Sequence, residues 1–325
     1  MIRAARDRIG NNLRRTPLLS APALDEIAGR RVLLKAECLQ ITGSFKARGG
    51  WSAVSAIAPQ IRARGVIAFS SGNHAQGVAH AAREHGVPAV ILMPKDAPRA
   101  KIDNTRALGA EVVLFDRECD DRDALGAELA EARGLTLIKP FDDALVIAGQ
   151  GTLGLELAKQ AAQAGVTKAD VLVCCGGGGL TSGVALALEA EAPGLRVRTA
   201  EPEGFDDVAR SIAAGEIRRN DRLGGSICDA IVTPQPGNLT FPILNRLCGP
   251  GLAVTEEEVL RAMALAFRHL RVVIEPGGAV ALAAALFRPR DIASDAVITV
   301  ATGGNVDGAL YARALQTLEA PGTAA

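Results

Sequence analysis

The run Val171-Leu172-Val173-Cys174-Cys175-Gly176-Gly177-Gly178-Gly179-Leu180-Thr181-Ser182-Gly183 reads as a buried strand, a glycine turn and the start of a helix. Four consecutive glycines are costly in chain entropy unless the backbone must approach something closely. Between a strand and a helix their amides, with the helix N-terminus, suit a phosphate. The spacing matches neither GxGxxG nor GxxxxGK[ST], which weakens dinucleotide and ATP readings. A merely flexible turn is the alternative.

Outward from this turn the chain keeps the same alternation. Strands are expected at 31–35, 65–70, 87–93, 111–115, 136–139, 171–175, 197–201 and 296–301. Helices are expected at 75–85, 101–108, 122–133, 154–164 and 180–191. Alternating strands and helices imply an α/β fold with mostly parallel sheets flanked by helices. The length of 325 residues suits two lobes. Residues 51–142 hold four of the strands and are expected to form the smaller lobe.

Composition excludes several functions. Basic and acidic residues balance at 36 each, so nothing draws the chain to nucleic acid or a membrane surface. Aromatic residues are only 3%, which argues against base stacking. No apolar run is long enough to span a bilayer, and residues 1–7 have no apolar leader core. The six cysteines include no CxxC pair, and Cys174 and Cys175 are adjacent, so reduced thiols in a cytoplasmic protein are expected. Seven of the 36 basic residues are lysines, so each lysine has a raised chance of being present for its amine.

Three further motifs carry chemistry. In Thr42-Gly43-Ser44-Phe45-Lys46-Ala47-Arg48-Gly49-Gly50 a lysine sits where a Gly/Ser turn enters a helix. A Schiff-base lysine needs a site that lowers its pKa, whereas a solvated lysine at a helix start needs none. In Ser70-Ser71-Gly72-Asn73-His74-Ala75-Gln76-Gly77 a strand ends and a helix opens, with backbone amides suited to a carboxylate. Asn73 adds an amide for a phenolic oxygen; the plainer alternative is a polar helix cap. In Val300-Ala301-Thr302-Gly303-Gly304-Asn305-Val306-Asp307 the neutral Thr302 hydroxyl follows an apolar strand, at the strand end where α/β proteins bind ligands.

In this order the motifs resemble the fold-type II pyridoxal-phosphate (PLP) enzymes, and within them the serine/threonine dehydratase and serine racemase group. Lys35–Gln40, Pro140–Asp143, Gly149–Thr152, Glu275–Ala279 and Gly303–Asn305 match further blocks of that group. The resemblance implies that Lys46 is the Schiff-base lysine and Cα base, with Phe45 packed on the pyridine ring. It implies Asn73 on the ring hydroxyl and Gly176, Gly177, Gly178, Gly179 and Leu180 around the phosphate. It places Ser71, Gly72, Asn73 and His74 on the substrate carboxylate, with Ser71 also catalytic on the face opposite Lys46, where racemase activity places its proton donor. Residues 1–50 and 143–325 become the large PLP-binding domain, and 51–142 the small domain that closes on substrate. A homodimer or homotetramer acting on a small amino acid is implied.

Two departures bear on the reaction. Thr302 stands where relatives carry Ser or Cys beside the pyridine nitrogen. A neutral hydroxyl cannot stabilise a protonated pyridinium as an aspartate would, which favours prompt loss of a β-leaving group. Ser226-Ile227-Cys228-Asp229-Ala230 replaces the Ala-Asp-Gly of many threonine dehydratases and resembles a divergent bacterial subgroup linked to hydroxyectoine breakdown. The expected activity is dehydration and deamination of L-threonine or L-serine to a 2-oxo acid and ammonia. A serine or aspartate racemase, a dehydratase of 3-hydroxyaspartate or a hydroxyectoine-derived substrate, and a PLP-binding protein without turnover stay open. Glu201, Phe205 and Asp207 resemble the divalent-cation site of serine racemases, with two carboxylates and a carbonyl for Mg²⁺ or Ca²⁺. A solvated acidic loop is the alternative.

Overall fold

The computed structural model describes residues 1–70, 72–97, 99–116 and 119–319. The strands are β1 (Leu18–Leu19), β2 (Arg31–Ala36), β3 (Val66–Phe69), β4 (Ala89–Pro94), β5 (Glu111–Phe115), β6 (Thr136–Leu137), β7 (Ala169–Cys174), β8 (Leu195–Pro202), β9 (Gly249–Val254) and β10 (Ala296–Ala301). They form a six-stranded sheet, order β1-β2-β10-β7-β8-β9, and a four-stranded sheet, order β5-β4-β3-β6. Every pairing is parallel except the short β1–β2 contact. β7, β10 and β4 are buried along their whole length, which is why they read as unbroken apolar runs.

Helices cover both faces of the large sheet. Glu256–Leu270 and Pro276–Phe287 build one core against it, and Ala144–Gln163 and Gly179–Glu191 build the other. A third core joins the small sheet to the helices Lys46–Ala56 and Asn73–Glu84. This arrangement brings the carboxyl ends of β3, β7 and β10 around one crevice, the usual ligand position in open α/β sheets.

The expected strands at 111–115 and 296–301 and the helix at 122–133 match the observed elements. The strand expected at 136–139 is only two residues long. The helix expected at 154–164 begins ten residues earlier, at Ala144. Its glycines are poor helix formers, but here they permit close packing. A Cβ on Gly149 would lie 2.5 Å from the Arg48 carbonyl, and one on Gly154 would lie 2.6 Å from the Ala187 Cβ. Asp143 caps this helix by accepting from the amides of Leu145 and Val146. The sequence pattern does not reveal β9, because its Gly-Pro-Gly opening hides an edge strand.

Candidate active site

The Lys46 segment is fastened to the end of β10. Ser44 and Gly303 form an antiparallel bridge, and the Phe45 amide donates to the Thr302 carbonyl at 3.0 Å. The helix then starts at Lys46. Lys46 Nζ donates to the Pro140 carbonyl at 2.7 Å and lies 5.2 Å from the centre of the Phe45 ring. Burial lowers the amine's pKa to about 8, so a useful fraction is neutral near physiological pH.

The glycine turn faces this amine across the cavity. Gly178 has φ 89° and caps the helix Gly179–Glu191, a left-handed conformation that favours glycine. The Gly177 carbonyl accepts from the Thr240 hydroxyl at 2.7 Å and the Gly237 amide at 3.2 Å, so the turn is pinned from behind. Phe141 occupies the space a Cβ on Gly177 would need, and the Ile231 carbonyl lies 2.7 Å from a Cβ on Gly176. A side chain anywhere along the turn would collide with Phe141, Ile231 or Leu244 and force the turn out of this shape.

Asn73 and His74 open the helix Asn73–Glu84. His74 is buried, and its Nε2 lies 2.9 Å from the Ile138 carbonyl. A carbonyl only accepts, so Nε2 carries the proton. Burial, and then the nearby Lys46, lower the ring's pKa to about 3. His74 is therefore neutral and acts as a hydrogen-bond donor rather than a general base. Thr302 is buried beside the Cys174 thiol, whose pKa burial pushes up to about 12.

Phe45, Lys46, Gly72, Asn73, His74, Gly176–Gly179, Leu180 and Thr302 thus line one cavity of about 960 Å³. Ser71 lies outside the described residues. The cavity adds groups to which the sequence motifs give no role: Glu275, Asn305, Thr181 and Lys101. Glu275 and Asn305 lie within two residues of a Gly-Gly pair at a helix start and a strand end, which is the one signal the sequence carries for them.

Glu201, Phe205 and Asp207 lie elsewhere, all buried, at the end of β8 and the start of the helix Asp207–Ala214. Glu201 accepts from the amides of Val208 and Ala209 at 2.9 and 2.8 Å, so it caps that helix. Asp207 Oδ1 accepts from Asn220 at 2.6 Å, and its Oδ2 has no hydrogen-bond partner. Burial, and then Asp207, push the Glu201 carboxyl well above its usual range; burial raises Asp207 to about 6. Such a pair calls for a proton or a cation. Among the described residues no three His, Cys, Asp or Glu side chains gather as a metal set, so a cation here would also need carbonyl oxygens. The alternative of a solvated loop does not fit this burial.

A desolvated lysine amine facing a glycine-walled helix N-terminus, on two parallel sheets, defines an enzyme with a phosphorylated carbonyl cofactor. The residues fit pyridoxal phosphate: an amine able to be neutral, a helix-start turn that only glycines can form between these neighbours, and an amide and hydroxyl for the ring. The chain belongs to the pyridoxal-phosphate dependent enzyme family, whose model matches residues 9–303. An L-threo-3-hydroxyaspartate ammonia-lyase from a Pseudomonas species is 41% identical over 97% of each chain. An Arabidopsis thaliana serine racemase is 38% identical over 95% of this chain and 94% of its own. The crystal structure of a T.th. threonine deaminase superposes with a TM-score of 0.88 at 45% identity, covering 94% of this chain and 97% of that one. The fold is that of the fold-type II PLP enzymes, and the chain is of their ammonia-lyase and racemase branch.

Proposed function

We propose that this enzyme dehydrates and deaminates a small β-hydroxy amino acid, such as L-threonine or L-serine, to a 2-oxo acid and ammonia. One observation carries it: the desolvated Lys46 amine shares its cavity with a glycine-lined helix N-terminus and the uncharged Thr302 hydroxyl. Bound pyridoxal phosphate supplies an electron sink for the substrate's Cα. Lys46 would hold it and take up the Cα proton. Gly176–Gly179 and Leu180 offer backbone amides to its phosphate. Phe45 would pack on its ring, Asn73 would donate to its ring oxygen, and Thr302 would meet its ring nitrogen without adding charge. The backbone amides of Gly72, Asn73 and His74 would orient the substrate carboxylate, and residues 51–142 would close over the substrate to exclude water. Glu201, Asp207 and the Phe205 carbonyl would hold Mg²⁺ or Ca²⁺, with a structural role.

The test is product analysis on purified, PLP-loaded enzyme given L-threonine, L-serine and L-threo-3-hydroxyaspartate. Release of 2-oxo acid as the main product supports a lyase. D-amino acid as the main product from the same L-substrates would overturn it in favour of a racemase, and no product from any of them would favour a binding protein.

A second substrate is favoured by one feature. Lys101 and Asn104 line the cavity wall, although Lys101 also pairs with Asp229 at 3.4 Å. A cation there suits a substrate with a second carboxylate, such as 3-hydroxyaspartate. Lys101→Ala should then lower kcat/KM for 3-hydroxyaspartate about tenfold, the worth of one charge-assisted hydrogen bond, and leave serine nearly unchanged. Equal losses on both substrates would remove the basis for this preference.

A further inference from the structure

Asn73 is the first residue of its helix and a cavity-lining amide, and two side chains from the loop after β10 and from the N-cap of Pro276–Phe287 hold it. Asn305 Nδ2 donates to the Thr42 carbonyl at 2.8 Å and to Asn73 Oδ1 at 2.7 Å. Asn73 Nδ2 donates to Glu275 Oε1 at 2.6 Å. These bonds leave no freedom in the order of atoms. The Thr42 carbonyl can only accept, so it must face the Asn305 NH₂. That NH₂ can only donate, so the Asn73 oxygen must face it. The Asn73 NH₂ is then turned to Glu275, whose Oε1 accepts it.

The chain reserves room for this ladder. A Cβ on Gly43 would sit 2.5 Å from Asn305 Oδ1, and a Cβ on Gly303 would strike Glu275 Oε1. The Glu275 amide donates to the Gly303 carbonyl at 2.9 Å, and the Gly304 amide to the Gly43 carbonyl at 2.9 Å, so backbone bonds fix both supports. A glycine on either side therefore has a reason beyond a turn.

We propose that Glu275 and Asn305 are positioning residues that lock the Asn73 amide in one orientation, so that it always presents N–H, never oxygen, to the ring oxygen of the cofactor. This rests on the placement of that ring at Asn73. An amide has two N–H bonds, so one serves Glu275 and the second is available to the cavity. The Glu275 oxygen that accepts from the amide polarises it and strengthens the second N–H as a donor. Without the ladder the amide can flip, and half of its orientations would set oxygen against oxygen. The carboxyl of Glu275 is pushed up to about 7 by burial, partly offset by its Asn73 bond. Asp229 raises it and Lys101 lowers it across the cavity, and the Cys38 and Cys174 thiols nearby stay protonated.

The experiment measures PLP dissociation and the visible spectrum of the loaded protein, with folding followed by circular dichroism. Asn305→Leu and Glu275→Leu should each weaken PLP retention about tenfold, the worth of one hydrogen bond, and shift the visible band. Glu275→Gln keeps an accepting oxygen and should recover most of the loss. Asn305→Leu made on top of Asn73→Ala should add nothing, because its effect passes through Asn73. Should Asn305→Leu fail to fold, Asn305→Ser carries the same comparison. Full additivity with Asn73→Ala overturns the proposal, as do unchanged spectra and affinity in the Asn305 and Glu275 variants when Asn73→Ala alters both. An Asn73→Ala protein with wild-type spectrum and affinity would instead refute the placement of the ring at Asn73.

Discussion

Lys46 shows how far one residue can be read from sequence. Its neighbours Gly43, Ser44 and Phe45 and the scarcity of lysine in the chain single it out. What the sequence does not contain is the Pro140 carbonyl that receives its amine from 94 positions away. Nor does it contain the burial that lowers its pKa to about 8. That shift has a kinetic consequence. Only the neutral amine attacks a carbonyl, and its fraction falls about tenfold for each pH unit below the pKa. Cofactor-free protein mixed with pyridoxal phosphate should therefore develop its visible band faster as pH rises, levelling off above about 8. Stopped-flow absorbance measures this. Lys46→Ala should give no such band at any pH, and a mutant with the wild-type band would exclude Lys46 as the carrier.

Among the elements, the glycine turn was legible because four glycines after an apolar strand have few other uses. The walls that make the turn a cradle were not legible, since Phe141, Ile231 and Leu244 come from distant segments. Gly178 is the sharpest test. A side chain there meets left-handed strain of about 1 kcal/mol, and its Cβ would lie 2.6 Å from Leu244 Cδ1. Gly178→Ala should lower the melting temperature modestly and Gly178→Val should also weaken PLP retention. Normal affinity in the valine variant, and in Gly177→Val, would place the phosphate elsewhere. The start of the helix Asp207–Ala214 makes a second elemental case. Its acidic residues fit a loop surface or a cation site, and sequence alone does not decide between them. Burial of both carboxylates with Asp207 Oδ2 unpartnered favours the cation. Chelation should lower the melting temperature by a few degrees and Mg²⁺ or Ca²⁺ should restore it, while Asp207→Asn should no longer respond. An unchanged melting curve on chelation would leave the pair sharing a proton.

Across the whole molecule, the strand–helix alternation foretold two parallel sheets, yet it did not foretell how one helix ties them together. The helix Lys46–Ala56 places Ala47, Trp51 and Val54 in the core of the small sheet. The same helix carries a buried charge to the large one. Arg48 is buried and bonds Glu37 at 2.8 Å and Glu156 at 2.8 Å, and Glu156 also takes Lys35 at 2.6 Å. Two cations and two anions cancel, so the group is tolerated in the interior, but removing one member leaves its partners unbalanced. Burial alone would raise the Glu37 carboxyl, and the Arg48 guanidinium more than offsets this and holds it below its usual range. A carboxyl depressed in this way stabilises the fold above its unfolded pKa, and that stability is lost as pH falls through the lower folded value. Arg48→Met should cost about 3–5 kcal/mol, because Glu37 is then buried without its counter-charge. It should do so equally with and without pyridoxal phosphate, since Arg48 is not among the residues that line the cavity. Urea unfolding of both forms at pH 7 measures this. A loss confined to the PLP-loaded form would mean that Arg48 serves the cofactor rather than the join between the sheets. A loss in both forms, shrinking at acid pH as Glu37 gains a proton, is the outcome the buried network requires.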